Sequence, residues 1–298
     1  MFRGMYAAIS GLEAHQTMLD VVANNLANAD TSGYKAQRTT FVDELSEMIA
    51  AANGPNGNLG GSGPTQVGLG VQLGSIDNVM TAGSLQSTGN PTDVAVQGDG
   101  FLRVATGNPP ATGPFTATFN NAQYTRAGDL KVNPNGFLTN PQGFYVIGKD
   151  AVASGTAPNL TYTPGANDTY INIPPGSTDV AIGQDGSVSY TDQNSASPTY
   201  QQRVTAGYIS LATFPSEGGL QRTGGSMWQA TSNSGKPNIG TPGTAGFGLT
   251  IAGTLEMSNV DMATEFTNMI QAQRGYQANA TVITTGDQML QTLVQMKQ

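Results

Sequence analysis

Few side chains in this sequence are of a type that performs chemistry. The one histidine, His15, would have to serve any Ser-His-Asp triad, and a lone imidazole cannot build a multi-histidine metal site. Cysteine is absent, which removes thiol nucleophiles, disulfide scaffolds, cysteine-based zinc sites and iron–sulfur clusters. Asp99 and Asp185 each precede a glycine. As a glycosidase pair they would need carboxylates about 5–10 Å apart in a cleft, whereas Asp-Gly turn chemistry accounts for both without one. Phosphate cradles fail on spacing. Gly148-Lys149 is followed by Asp150 and Gly235-Lys236 by Pro237, and the run Gly68-Leu-Gly70-Val-Gln-Leu-Gly74 has a residue too many for the dinucleotide fingerprint. Trp228, the sole tryptophan, reads as a packing anchor, with sugar stacking as its alternative. No catalytic, cofactor or metal residue emerges, and the chain is expected not to be an enzyme.

Charge restricts partners further. Only 11% of the 298 residues are charged, against about 25% in an average soluble protein. The net charge is −8 and the twelve basic residues are scattered. Nucleic acid and anionic lipid both demand clustered positive charge, so neither is an expected partner. The first thirty residues carry Arg3, Glu13, His15, Asp20 and Asp30 instead of an apolar signal core. No apolar run approaches the roughly 18 residues of a membrane span. Membrane insertion is not expected.

The elements differ sharply along the chain. The first 28 residues and the last 40 read as helices, and the middle reads as β. At the N-terminus Phe2, Met5, Ile9, Leu12, Gln16, Leu19, Ala23 and Leu26 follow heptad spacing, with Tyr6, Met18, Val21 and Val22 widening the stripe. At the C-terminus Ser258 reads as an N-cap with Asp261 as its partner. From there Met262, Phe266, Met269, Gln273, Tyr276, Ala280, Ile283, Asp287, Leu290 and Val294 repeat the spacing, and Ile270, Val282, Met289, Leu293 and Met296 broaden it. A pair formed by the two ends, parallel or antiparallel, cannot cover both surfaces, so further copies are the natural partners. Asn24, Asn25 and Asn28 are poor helix formers, and their clustering suggests specific hydrogen bonds across an interface. Gly33 suits a left-handed turn after the helix.

The segment 33–75 reads as a connector. It holds a short helix over Phe41–Ile49, a flexible stretch at Asn53–Pro64 and a half-buried strand at Val67, Leu69, Val71 and Leu73. Turn signals at Asp99-Gly100, Asn135-Gly136 and Asp185-Gly186 punctuate apolar strand runs. Asp93-Val-Ala-Val echoes Asp179-Val-Ala-Ile, and Gly83–Gly89 echoes Gly219–Gly224, as equivalent hairpins would. The expected class is α+β, mainly β. A terminal helical domain (1–32 with 258–298) with coiled-coil-like pairing accompanies one Gly/Thr/Asn-rich antiparallel β domain (76–257).

Several stretches resemble the bacterial flagellar rod and hook proteins. They are Gly11-Leu12, the run Leu19–Asn28, Thr31 with Gly33-Tyr34-Lys35, Asp99-Gly100-Phe101, Thr125-Arg126-Ala127-Gly128, Leu255–Asp261, Glu265-Phe266, Met269-Ile270, Ala272–Gly275 and Thr284-Thr285 with Asp287. The resemblance covers both ends and the middle. It implies a structural subunit that polymerises into a helical tube. Its inner wall would be terminal helices, using Phe2, Met5, Ile9, Leu12, Leu19, Val22 and Leu26 with Phe266, Met269, Ile270, Tyr276, Ile283, Leu290 and Val294 as interface residues. It also implies type III export without a cleaved signal peptide, and partners among neighbouring axial proteins: distal rod, hook cap and hook–filament junction. The C-terminal motif and the Gly68–Gly70 region look most like short hook proteins, which places the chain in the extracellular hook as a universal joint. The Asn53–Pro64 segment resembles in position one found in distal rod proteins, which makes the drive shaft the alternative. A secreted adhesin or carbohydrate-binding β module is a more distant one.

Overall fold

The computed structural model describes residues 2–54, 60–107, 119, 121–154, 160–195, 197 and 199–296. The chain forms two compact units. One gathers residues 1–28, 36–79 and 260–298; the other gathers 29–35 and 80–259.

The first unit is built on two long helices, α1 (Phe2–Ala27) and α2 (Met262–Gln295). They run antiparallel: Met5 lies by Gly286, Gly11 by Asn279, His15 by Gly275 and Asn25 by Glu265. The cap of α2 is Asp261 and not Ser258. Its carboxylate accepts from the Ala263 N–H at 3.0 Å and from the Thr264 hydroxyl at 2.7 Å, an N-cap placed immediately before the first helical residue.

The same unit holds four strands, β1 (Gln37–Asp43), β2 (Ser46–Ala50), β3 (Thr65–Gly68) and β4 (Val71–Asn78). β1 pairs antiparallel with β4, and β2 with β3. The helix expected over Phe41–Ile49 is therefore strand. A helix of nine residues is marginal by itself, whereas Phe41–Asp43 find backbone partners in β4 and Ser46–Ile49 lie in β2, which pairs with β3. The alternating run from Val67 to Leu73 is strand, but broken at Leu69-Gly70 into β3 and β4, and Val67 and Leu73 are exposed instead of half-buried. Gly70 has φ +142°, and a Cβ there would strike the Ser10 hydroxyl. That hydroxyl accepts from the Val71 N–H at 3.3 Å, tying α1 to β4. Within the Asn53–Pro64 stretch, Asn53 and Ser62 bridge; residues 55–59 lie outside the described residues.

The second unit is antiparallel β. Its main sheet runs Thr178–Ile182, Ser187–Thr191, Arg203–Ile209, Tyr145–Ser154, Phe101–Ala105, Gln123–Thr125, Met227–Gln229 and Gln221–Gly224. The alternating apolar residues meet in one core, including Val94, Leu102, Leu130, Val146, Ile171 and Leu211. A second cluster packs Trp228 with Phe101, Tyr124 and Phe214, the last two rings edge-on at 4.8 Å. Asn135-Gly136 and Asp185-Gly186 do turn hairpins, with glycine φ of +87° and +76°. The Asp99-Gly100 turn does not close one. Val94–Gln97 pairs instead with Leu249–Ala252, a partner from the far end of the chain. The two Asp-Val-Ala echoes are thus not equivalent hairpins. The Gly83 echo fails likewise, since Leu85–Ser87 pairs with the distant Thr254–Glu256 while Gln221–Gly224 pairs with its neighbour Met227–Gln229.

Candidate functional site

The helix pair sets the first feature. Its contact stripe is made of small residues, which let the backbones approach. Ala8 and Ala14 of α1 and Ala272 and Gly286 of α2 are buried, and the His15 ring packs where a side chain on Gly275 would stand. Val21 and Val22 are buried near the end of α1. Asn25, fully buried, closes the stripe. Its Nδ2 donates to the Gln37 carbonyl at 2.8 Å and to Glu265 Oε1 at 3.2 Å, and its Oδ1 accepts from the Gln37 N–H at 2.9 Å. The hydrogen bonds expected across an interface thus join segments of one chain. Burial pushes the Glu265 carboxyl above the usual carboxylate range, with the Asn25 hydrogen bond opposing.

Because small residues occupy the contact, large apolar ones are left outside it. Tyr6 is 69% exposed, Ile270 58%, Phe266 50% and Val294 65%, and Ile9, Tyr276, Val282, Met289 and Leu293 are exposed as well. Of the heptad seam, Met5, Leu12, Leu19, Leu26, Met269, Ile283 and Leu290 are half-buried. The side chain of Phe2 lies outside the described residues. A wide bare apolar surface therefore remains on α2, with a smaller one around Tyr6 and Ile9 near the start of α1, and the first is more than a scatter of surface apolar residues.

The second feature is a buried charge cluster that sequence reasoning did not single out. Gly33-Tyr34-Lys35, Arg126 and Glu256 come from remote stretches and meet inside the β unit. Lys35 Nζ donates to Glu256 Oε1 at 2.6 Å and to the Thr81 carbonyl at 2.8 Å. Arg126 donates to Glu256 Oε2 at 3.2 Å and to the Gly98 carbonyl at 2.9 Å, and lies over the Phe101 ring at 5.1 Å. Glu256 Oε1 also accepts from the Gly83 N–H at 3.0 Å. Desolvation holds the Lys35 ammonium below the usual lysine range, and the Glu256 hydrogen bond works against it. Gly33 has φ +67°, and a Cβ there would run into the Ala127 backbone. Tyr34 is buried beneath the Arg222 guanidinium, which also donates to the Lys35 carbonyl. Three charges this deep are tolerated only because each is hydrogen-bonded. The signal was present in the sequence: a chain poor in charge spends Lys35 and Arg126 inside Gly-containing motifs and Glu256 in the Leu255–Asp261 motif.

The remaining candidates resolve as structure. Asn28 Nδ2 donates to the Asn24 carbonyl and side chain, both at 2.9 Å, finishing α1. Asp185 accepts from the Ser187 N–H at 3.1 Å and hydroxyl at 2.6 Å, a turn role. Trp228 is buried with Arg222 over its ring at 4.8 Å, so no face is open to stack a sugar. Among the described residues no group of three acidic or histidine side chains is placed to hold a metal, and no helix is long and apolar enough to cross a membrane.

Comparison with known proteins adds to this geometry. The chain matches the family described as flagella basal body rod protein over residues 5–35. It matches the flagellar hook protein FlgE/F/G D1 domain over 95–190 and the flagellar basal body rod FlgEFG protein C-terminal over 251–296. The flagellar basal-body rod protein FlgG of Bacillus subtilis is 37% identical over 298 residues, covering 100% of both chains. The protein of the same name from Caulobacter vibrioides is 34% identical over 297 residues, 99% of each. The flagellar hook protein FlgE of Borreliella burgdorferi is 28% identical over an alignment of 453 residues that spans 100% of both.

Proposed function

This chain belongs to the bacterial flagellar rod and hook protein family, and on that premise we propose that it is a subunit of the distal rod, polymerising with its own copies into the drive shaft of the flagellum. The observation that supports the polymer is the bare apolar surface of α2, joined by Tyr6 and Ile9 of α1. Each large side chain moved from water into a neighbour's surface contributes about 1.5–3 kcal/mol before ordering costs. A long helix showing such a surface gains most of its stability from packing. Incorporation buries these outer faces in addition to the inner seam that already pairs α1 with α2, so the helical unit is most stable in the polymer, a step that follows export through the type III apparatus. The helices supply axial strength. The β unit, low in charge, meets neighbours through short-range polar contacts.

Rod is favoured over the hook expected from the sequence motifs. The rod relatives align end to end at the same length, whereas the hook relatives need alignments of 453 and 474 residues to accommodate this chain. Deletion of the gene followed by electron cryotomography of basal bodies tests the proposal. A truncated rod is the expected result. A completed rod lacking only the hook returns the chain to the hook, and normal flagella refute the axial role and favour an adhesin-like module.

A further inference from the structure

No charged residue stands between Glu47 and Asp77, and inside that stretch Asn53 is followed by Gly54. An asparagine next to glycine is reactive. The backbone nitrogen of the glycine lies one five-membered ring away from the side-chain amide carbon, and glycine has no Cβ to obstruct the approach. The fold decides whether that ring closes. The nitrogen must be open to base, and the peptide between the two residues must be free to turn, so hydrogen bonds that hold it suppress the reaction until they open.

The sequence has three Asn-Gly pairs. One, Asn56-Gly57, lies outside the described residues. The other two contrast. Asn53 and Gly54 are both exposed, and a Cβ added at Gly54 would meet nothing within 4 Å. Among the described residues neither the Gly54 N–H nor the Asn53 side chain makes a hydrogen bond. Asn53 is held by its bridge to Ser62, two backbone bonds of 3.0 Å each. Turning the 53–54 peptide breaks only the one its carbonyl accepts. Gly136, by contrast, is buried. Its N–H donates to the Asn133 carbonyl at 2.9 Å, and its carbonyl accepts from the Ile173 N–H at 2.7 Å. A Cβ there would strike the Ile173 carbonyl. Turning the 135–136 peptide takes that turn apart.

We propose that Asn53 is a site of spontaneous deamidation in the folded chain and that the fold protects Asn135. The Gly54 nitrogen, its proton taken by hydroxide, attacks the Asn53 side-chain carbon. The new C–N bond closes a succinimide while the bond to the side-chain nitrogen breaks, and ammonia leaves with a proton from water. Water then opens one of the two carbonyl–nitrogen bonds of the ring. Opening on the side-chain side gives aspartate, and opening on the main-chain side gives isoaspartate. Overall one water is consumed and one ammonia released, with nothing oxidised or reduced. Either product puts a negative charge into the uncharged stretch. Isoaspartate also routes the backbone through the side chain, which lengthens it by a methylene and removes the carbonyl that accepts from Ser62. The end of the β2–β3 arm therefore loosens as the protein ages. The inference does not rest on the polymer reading.

The test uses the full chain with Asn56→Gln, so that any change in this stretch next to a glycine belongs to Asn53. The protein is held folded in mildly alkaline buffer and sampled over days. Peptide mass spectrometry with electron-transfer fragmentation reads aspartate and isoaspartate at each position. Asn53 should convert at least about tenfold faster than Asn135, the factor by which one hydrogen bond that must open first holds a reaction back. In urea the gap should close, because both asparagines precede glycine and neither is then held. Gly54→Val, which puts a branched side chain at the approach, should slow Asn53 in the folded chain. Equal rates in the folded chain, a gap that persists in urea, or an unslowed Gly54→Val overturns the proposal. So does an Asn53 that stays intact in the folded chain while both react in urea.

Discussion

Glu256→Gln should cost the β unit about 3–5 kcal/mol, the range for removing one partner of a buried ion pair. The change keeps the volume and preserves an oxygen for the Gly83 N–H. It leaves two cations, Lys35 and Arg126, buried with carbonyls, a neutral amide and the more distant Glu217 carboxyl to face. Lys35→Met should cost less, because Glu256 keeps both Arg126 at 3.2 Å and the Gly83 N–H at 3.0 Å. The natural probe is Trp228, the sole tryptophan, which is buried in this unit. Its fluorescence during urea unfolding of the unassembled chain reports the β unit directly. For a unit of this size each kcal/mol moves the midpoint by about 2–4 °C, so Glu256→Gln should melt on the order of 10 °C lower. The pH dependence has a defined sign. The folded Lys35 lies below its ordinary 10.5, chiefly through burial. Between the folded value and 10.5 the unfolded chain holds the extra proton. Stability should therefore rise with pH through that window and level off above it, and the window should widen in Glu256→Gln. A loss under about 1 kcal/mol, or a larger loss in Lys35→Met than in Glu256→Gln, would refute this account of the cluster.

Three further outcomes follow from the helical unit. Asn25→Leu removes a fully buried side chain bonded to Gln37 and Glu265, and should cost about 2–4 kcal/mol in denaturant unfolding at the rate for stranded buried partners; a loss within 0.5 kcal/mol, as for an ordinary surface change, would contradict it. Gly275→Ala should lower helix-pair stability by about 1–3 kcal/mol because its methyl meets the His15 ring, whereas Gly286→Ala finds ordinary contact distance to Met5 at 3.5 Å and should be neutral or stabilising by up to about 1 kcal/mol. Circular dichroism melts of the two variants would expose an inverted order. Glu265, raised above its ordinary 4.5 by burial, contributes stability that is complete below that value and is lost as pH climbs through the folded one. Glu265→Gln should flatten this dependence and be the more stable chain at pH 7, and an unchanged pH profile would show that the carboxyl is not responsible.

The sequence makes the helices and the local turns legible, because their signals are local. Heptad spacing marks α1 and α2 to within a few residues, and Asn135-Gly136 and Asp185-Gly186 turn where glycine must take positive φ. Pairing between remote strands carries no local signal, so Val94–Gln97 looked like half of a hairpin until Leu249–Ala252 supplied its partner. Which face of α2 meets α1 within the chain carries no heptad signal. Heptad spacing marks the large apolar residues, while the two helices approach closely where side chains are small, at Ala272, Gly275 and Gly286. That rotates Phe266, Tyr276 and Val294 outward. The charge cluster was half visible. Lys35, Arg126 and Glu256 stood in the motifs that carry the family resemblance, yet only the fold brings them together.

The central claim is that the outward helix surfaces are covered by other copies in the flagellum. Single cysteines at Ile270 and Val294, with one at exposed Tyr200 of the β unit as reference, can be labelled with a maleimide in the free chain and in isolated basal bodies. The account predicts that both helix positions react in the free chain and become at least about a hundredfold slower on assembly, the mark of a position out of solvent for all but a per cent of the time. Helix positions that label as fast in basal bodies as in the free chain would contradict it.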